Sequence, residues 1–165
     1  MDRQDAGRLP EIRRVIRTQR LVLTPWTEAE LAALHRLWSN AETIWWGPNE
    51  TLEQTRALLA KIEAQGGWWA VQLDAEIIGN VFLRTSPRDA SVLELGYHFL
   101  PSACGKGYAT EAARALLETA PGRVIEAPVV PDNARSQAVM KKLGFSMARQ
   151  IMHAGRVHDL WLKQA

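Results

Sequence analysis

The chain is short of cysteine: Cys104 is the only one in 165 residues. An internal disulfide is excluded, and a reducing cytoplasm is the expected location. No apolar run is long enough for a helix to cross a bilayer, so no membrane partner is expected. Net charge is only +2, too little to mark a nucleic-acid surface by itself. Tyrosine and phenylalanine are scarce, two and three, whereas tryptophan occurs seven times, twice as an adjacent pair. Repeats, low-complexity tracts and linkers are absent, so the length points to one domain with a full core, over 13–165.

What is there begins with arginine. Arg3, Arg8, Arg13, Arg14, Arg17 and Arg20 fall in the first twenty residues, interrupted by Asp2, Asp5 and Glu11, with no apolar segment behind them. That is neither a secretory signal nor a transit peptide. Residues 1–12 read as a flexible, solvated tail rather than a nucleic-acid arm.

Punctuation then divides the chain. "VIRTQRLVLTP" (15–25) reads as one strand ended by Pro25. "TEAE" (27–30) is a capping box, followed by Leu31, Leu34, Leu37 and Trp38 at helical spacing. "TLEQ" (51–54) is a second capping box, with Thr55, Leu58, Leu59 and Ile62 as its buried stripe and Gly66-Gly67 as its stop. "WWAVQLD", "EIIGNVFLRT" and "SVLELGYHFL" have short connections and predict an antiparallel meander. Trp68 and Trp69 should alternate across the first of these, one to the core and one to the surface or an interface. A helix over roughly 106–119, a strand "RVIEAPVV", a helix "DNARSQAVMKKL" and two strands around Ala154-Gly155 complete the order β-α-α-β-β-β-α-β-α-β-β. The fold class is α/β: a mixed, mostly antiparallel central sheet with helices on both faces and one right-handed parallel crossover.

The crossover carries "CGKGYATEA" (104–112), two glycines between a strand and a helix. Such turns hold anions on free backbone N–H groups. A nucleotide P-loop would need Ser or Thr after Lys106, where Gly107 and Tyr108 stand. A dinucleotide fingerprint opens correctly at Gly105 and Gly107, but Thr110 occupies the third glycine position; Glu126 would be its ribose ligand. The third candidate is the pyrophosphate of coenzyme A.

For that candidate the chain resembles the GNAT superfamily of N-acetyltransferases. The family motif Q/R-x-x-G-x-G/A reads here Cys104-Gly105-Lys106-Gly107-Tyr108-Ala109; Gly107 and Ala109 match, and Cys104 replaces Gln or Arg. "TQRLVLTPWTEAEL", "PDNARSQAVMKKLGF" and "GRVHDLWLK" are similar to the branch of ribosomal-protein N-terminal acetyltransferases, so the resemblance spans roughly 16–163. It implies the acyl-CoA N-acyltransferase fold, with a cofactor cleft splayed open between the fourth and fifth strands. It also implies acetyl transfer from acetyl-CoA directly to a primary amine, without metal. The cofactor would lie along Phe99 and Leu100, over Cys104, Gly105, Lys106, Gly107, Tyr108, Ala109 and Thr110, and against Asn133 and Ser136. Gly96 would mark a bulge at the splay.

Three chemical tasks follow: deprotonating the amine, stabilising the oxyanion, and protonating the leaving thiolate. Ser136 shares its helix face with Val139, Met140 and Leu143, which turns its hydroxyl inward and makes it the candidate acid. Many relatives place a tyrosine where Met140 stands. Asn133 follows Asp132 at the helix start and reads as a cap, with a place in the site by family position. Glu94 alternates with Leu93 and Leu95 and is the candidate base, through water. Trp38, Trp45, Trp46 and Tyr97 are the candidate acceptor-pocket residues. His35, His98, His153 and His158 lack metal-ligand spacing and read as structural groups or acceptor contacts, and Glu111 as structural. Cys104 has no histidine partner in view and is not a nucleophile candidate.

The acceptor is bounded by proton energetics. At neutral pH an α-amine is about a tenth neutral, against about 0.04% for lysine, so deprotonation costs about 1.4 and about 4.6 kcal/mol. A protein N-terminus or a low-pKa small-molecule amine is the easier substrate. Two other readings stay open: a non-catalytic acyl-CoA-binding or sensor module, and a dinucleotide oxidoreductase. The chain could act as a monomer or a homodimer.

Overall fold

The computed structural model describes residues 14–44, 48–49 and 51–164. The segment expected as one opening strand is two, β1 (Ile16–Arg17) and β2 (Leu21–Pro25), paired antiparallel with Ile16 opposite Leu23. Thr18 makes the turn: it accepts from the Leu21 N–H through Oγ at 2.9 Å, and its own N–H donates to the Leu21 carbonyl. A side chain that bonds the backbone this way offers an alternative to the continued strand.

Both capping boxes form. Thr27 and Glu30 bond reciprocally ahead of a short 3-10 turn that leads into α1 (Leu31–Trp38). Thr51 and Gln54 do the same ahead of α2 (Leu52–Gln65), which Gly66 ends at φ 68°. Each cap stabilises its helix by about 1 kcal/mol. The meander follows as β3 (Trp68–Leu73), β4 (Glu76–Thr85) and β5 (Leu93–Phe99), all antiparallel. In β4, Gly79 pairs with Val71 and Ile77 with Gln72, so Ile78 is the extra residue of a bulge. α3 (Tyr108–Leu117), β6 (Val124–Val129) and α4 (Ala134–Lys142) come next, then β7 (Ser146–His153) and β8 (Arg156–Gln164).

The eight strands form one sheet in the order β1-β2-β3-β4-β5-β6-β8-β7. Only β5 and β6 are parallel, joined by the expected crossover through α3. Helices cover both faces. Leu93, Leu95 and Phe99 of β5 pack with α3 and Met140 of α4 in one core. Trp68 and Phe82 pack with Leu34 and Leu37 of α1 and Leu59 and Ile62 of α2 in the other. Trp68 and Trp69 do alternate, but each meets a core, so both are buried and neither faces an interface.

One irregularity creates the site. β5 and β6 pair only at Leu93–Ile125 and Glu94–Glu126, and then part although both strands run on. The expected splay is therefore present, numbered here between β5 and β6 because the first strand is split.

Candidate active site

A cavity of about 780 Å³ runs through the splay, lined from Gly105, Gly107, Tyr108 and Ala109 at one end to Trp68, Phe82 and His98 at the other. The glycine turn forms its first end. Gly105 and Gly107 have φ of 76° and 84°, a region that side chains disfavour. Gly107 is the N-cap of α3 and supplies no capping side chain, so the amides of the first helical turn have no oxygen of their own there. A methyl at Gly105 would meet nothing within 4 Å. Open N–H groups at a helix N-terminus, before an open space, suit a phosphate. The residues present therefore fit the pyrophosphate of coenzyme A, with Lys106 exposed beside it.

Arg20 clamps this turn from outside. Its Nη1 donates to the Lys106 carbonyl at 3.0 Å and its Nε to Glu111 at 2.7 Å, and its guanidinium lies 4.6 Å from the centre of the Tyr108 ring. Glu111 also accepts from the Arg20 N–H and the Thr18 hydroxyl. Those bonds hold its carboxyl below the usual range even though burial acts the other way as the largest single influence. Glu111 is thus a structural tie between the β1–β2 turn and α3.

At the middle of the cleft, Asn133 caps α4 by accepting from the Ser136 N–H at 3.1 Å. The Ser136 hydroxyl turns inward, as its helix face predicts, and meets the Tyr97 hydroxyl at 2.8 Å. Tyr97 lies on the sheet face of Leu95 and Phe99, the side of α3 and α4, whereas Trp38 packs on the other face. Burial pushes the Tyr97 phenol up to about 12, and the Ser136 hydroxyl opposes that shift.

The other sheet face carries charge. Glu94 is 2% exposed, neither solvent-facing nor free. Arg84, its cross-strand partner, donates to it at 2.7 Å, and Arg88 donates to its second oxygen. Arg88 also bonds Glu126 at 2.9 Å and His153 Nδ1 at 2.9 Å, and Ser86 donates to Glu126. Glu126 is therefore committed inside this network and unavailable as a ribose ligand. Beside it, Trp38, Trp68, Phe82 and His98 form an aromatic wall, with Trp68 stacked on Phe82 at 4.2 Å and Trp38 edge-on to His98 at 5.1 Å. Burial, then the charge of Arg84, pushes His98 down to about 4, so it is neutral at physiological pH.

Gly96 marks no bulge. β4 and β5 pair in unbroken register there, and Gly96 instead makes room for Phe82, whose ring lies 2.2 Å from where a Cβ would stand. Phe99 ends β5 and lines the cleft, whereas Leu100, just beyond it, does not line the cleft: it packs against the core of α1 and α2, its N–H tied to the Ile78 carbonyl. Cys104 is half-buried there, its thiol near the Leu100 carbonyl. Thr110 lines the glycine end. Trp45 and Trp46 lie outside the described residues. Among the described residues no cluster of His, Cys, Asp and Glu could hold a metal, and no helix could cross a membrane.

Arg20, Arg84, Arg88 and Ser86 were not legible as site residues. Arg84 had one signal: it is the cross-strand partner of Glu94 once the 76–85 and 93–99 strands are set in register. Arg20 had none, since its partners are 86 and 91 positions away.

A family model described as an acetyltransferase (GNAT) domain matches residues 20–146. Similar solved structures include an acetyltransferase of the GNAT family from Bacillus anthracis, at 24% identity and TM-score 0.76, covering 90% of this chain and 96% of that one. RimL, a ribosomal L7/L12 alpha-N-protein acetyltransferase solved with coenzyme A, is 20% identical with TM-score 0.77, over 92% of this chain and 98% of its own. The aminoglycoside acetyltransferase AAC(6')-Ib, solved with ribostamycin and coenzyme A, is 19% identical with TM-score 0.74, over 88% and 94%.

Proposed function

The chain belongs to the GNAT acetyltransferase family and is an acetyl-CoA-dependent N-acetyltransferase; from that premise we propose that its acceptor is an α-amine at a polypeptide N-terminus. The observation that carries this is the state of Glu94. Two guanidiniums hold it, one on each carboxylate oxygen, so it is committed to ion pairs rather than open to an incoming amine. His98, with its pKa near 4, is a weak base. A site so equipped suits an amine that reaches its neutral form at about 1.4 kcal/mol, and not one that needs about 4.6.

Charge favours the same acceptor over a polycationic aminoglycoside. The cavity is lined by Lys61, Arg84, Arg135, Lys142 and Arg156 against the carboxylates Glu42 and Glu94. A polycation would meet like charge there. RimL, a structural neighbour, acts on an α-amine by its name; AAC(6')-Ib binds the aminoglycoside.

In this reading the glycine turn and α3 bind the pyrophosphate, and bound acetyl-CoA supplies the activated acetyl group. β5, unpaired on its β6 side beyond Glu94, runs beside the pantetheine arm. Asn133 holds the first turn of α4 so that Ser136 reaches the cleft. Glu94 keeps Arg84 and Arg88 fixed beneath the aromatic wall, and the amine proton leaves to water.

The test is calorimetric titration with acetyl-CoA, with NAD as control, followed by thiol release. Acceptors would be a free N-terminal peptide, the same peptide Nα-blocked with an internal lysine, and an aminoglycoside. Binding of acetyl-CoA alone and thiol release with the free N-terminus only is expected. Release with the aminoglycoside or lysine alone would overturn the acceptor class. Binding without release to any amine would leave a sensor module.

A further inference from the structure

Resting on that reading of a polypeptide N-terminus as acceptor, we infer that the acceptor carries an acidic side chain close behind its α-amine, and that Arg84 is the specificity-determining residue that receives it. The register of β4 and β5 sets the position. On one sheet face Asn80, Phe82 and Arg84 of β4 stand opposite His98, Gly96 and Glu94 of β5. β6 pairs with β5 only as far as Glu94, so Arg84 stands across β5 from the point where the splay begins. Its face is that of Phe82, packed with α1 and α2 and turned away from α3 and α4. That is the face left for an acceptor once acetyl-CoA lies against the glycine turn.

Arg84 is held on two sides and open on a third. Its Nε and Nη2 both donate to one oxygen of Glu94, at 3.1 and 2.7 Å. Its guanidinium carbon lies 5.0 Å from the centre of the Phe82 ring and 5.6 Å from that of Trp68. Nη1 has no hydrogen-bond partner among the described residues. A guanidinium carries five N–H groups in a fixed fork. With Nε and one Nη2 hydrogen spent on Glu94, the end edge of Nη1 and Nη2 is the one a carboxylate takes with both oxygens. The side chain lines the cavity and is 30% exposed, so a ligand can reach that edge. Arg88 has no such capacity: Nε donates to Glu126, Nη2 to Glu94 and Nη1 to His153.

Charge around the site agrees. Arg84 and Arg88 balance Glu94 and Glu126, so the network is neutral as it stands. Away from α4 the cavity then adds Lys61 and Arg156 against Glu42. An anionic group is drawn to such a surface and a cationic one is not. An extended chain advances about 3.3 Å per residue, so a side chain bound beside the origin of the splay belongs to a residue just behind the reacting amine. A backbone carbonyl could bond the same edge, but through one oxygen and without charge. Replacing a carboxylate by its amide therefore separates the two occupants.

The experiment uses wild-type protein, acetyl-CoA and pairs of peptides with free N-termini, differing only as Glu or Gln at residue one, two or three. Thiol release gives kcat and KM. In the best pair the Glu peptide should have kcat/KM about tenfold higher, mainly through KM, because the carboxylate lies away from the reacting atoms. Arg84→Gln should shrink that preference below about twofold. Arg84→Lys, which keeps the charge and loses the fork, should leave about threefold. Equal kcat/KM for Glu and Gln at all three positions would overturn the proposal in wild-type protein alone, with no variant required to fold. A preference that survives intact in Arg84→Gln would overturn it too. If neither peptide of any pair releases thiol, the acceptor class fails separately. Calorimetry of the same pairs on CoA-loaded protein then decides this point: tighter binding of the Glu peptide is expected, and equal binding or none would overturn it.

Discussion

The two ends of the cleft are built from different materials. At the glycine end, the Gly105–Gly107 turn and the first turn of α3 present backbone N–H groups with no capping side chain. At the other end, charges and rings from β4, β5, β6, β7 and the 86–88 turn converge on one sheet face. A backbone-built site depends on the conformation of a few peptide units and tolerates changes in most side chains. A side-chain-built site depends on each partner, because a buried charge that loses its counter-charge has no water to replace it.

That contrast can be broken at either end. The largest expected effect is at the charged end: Glu94→Ala leaves Arg84 and Arg88 without their shared carboxylate and should cost about 3–5 kcal/mol of stability. Urea unfolding measures it; a loss below about 1 kcal/mol would show that water reaches these guanidiniums. At the backbone end, Gly107→Val forces a branched residue to φ 84° beside Arg20 and should weaken acetyl-CoA binding at least 100-fold. Unaltered affinity in calorimetry would make the turn merely structural.

His98 sharpens the comparison through pH. Its folded pKa, near 4, lies below the ordinary 6.5. Between those values the unfolded chain binds a proton that the folded chain does not, so stability present at neutral pH is lost as pH falls through the window. From pH 7 to about pH 4.5, wild type should lose about 2 kcal/mol more than His98→Gln. Equal losses would place His98 in water. The smallest effect belongs to Arg20→Ala, which removes a clamp but none of the N–H groups. Acetyl-CoA affinity should fall about fivefold, or about 1 kcal/mol. A loss as large as that of Gly107→Val would mean Arg20 touches the phosphate directly.

The same division explains what could be read in advance. The glycine turn, both capping boxes and Asn133 as a cap depend on residues within four positions of one another, and all appear as read. The inward turn of Ser136 follows from helical spacing. Its partner does not: Tyr97 is 39 positions away, and its meeting with Ser136 depends on how α4 packs across the splay. Alternation placed Glu94 on the right face, yet the guanidiniums that neutralise it come from Arg84 and from Arg88 in the β4–β5 connection. The split of the first strand was missed because the Thr18 turn competes with strand through a single hydroxyl. Gly96 was read as a bulge because a glycine in a strand signals either irregularity or close approach, and only Phe82 decides between them.

By itself, then, the order of residues determined all the elements but the split first strand, their caps, the crossover and the glycine turn. Hydrogen bonds and φ preferences over a few residues set these. The tertiary structure alone decided which hydroxyl faces Ser136, which cations neutralise Glu94, and which arginine clamps the turn. Those pairings join residues far apart in sequence, and only sheet register and helix packing bring them within bonding distance.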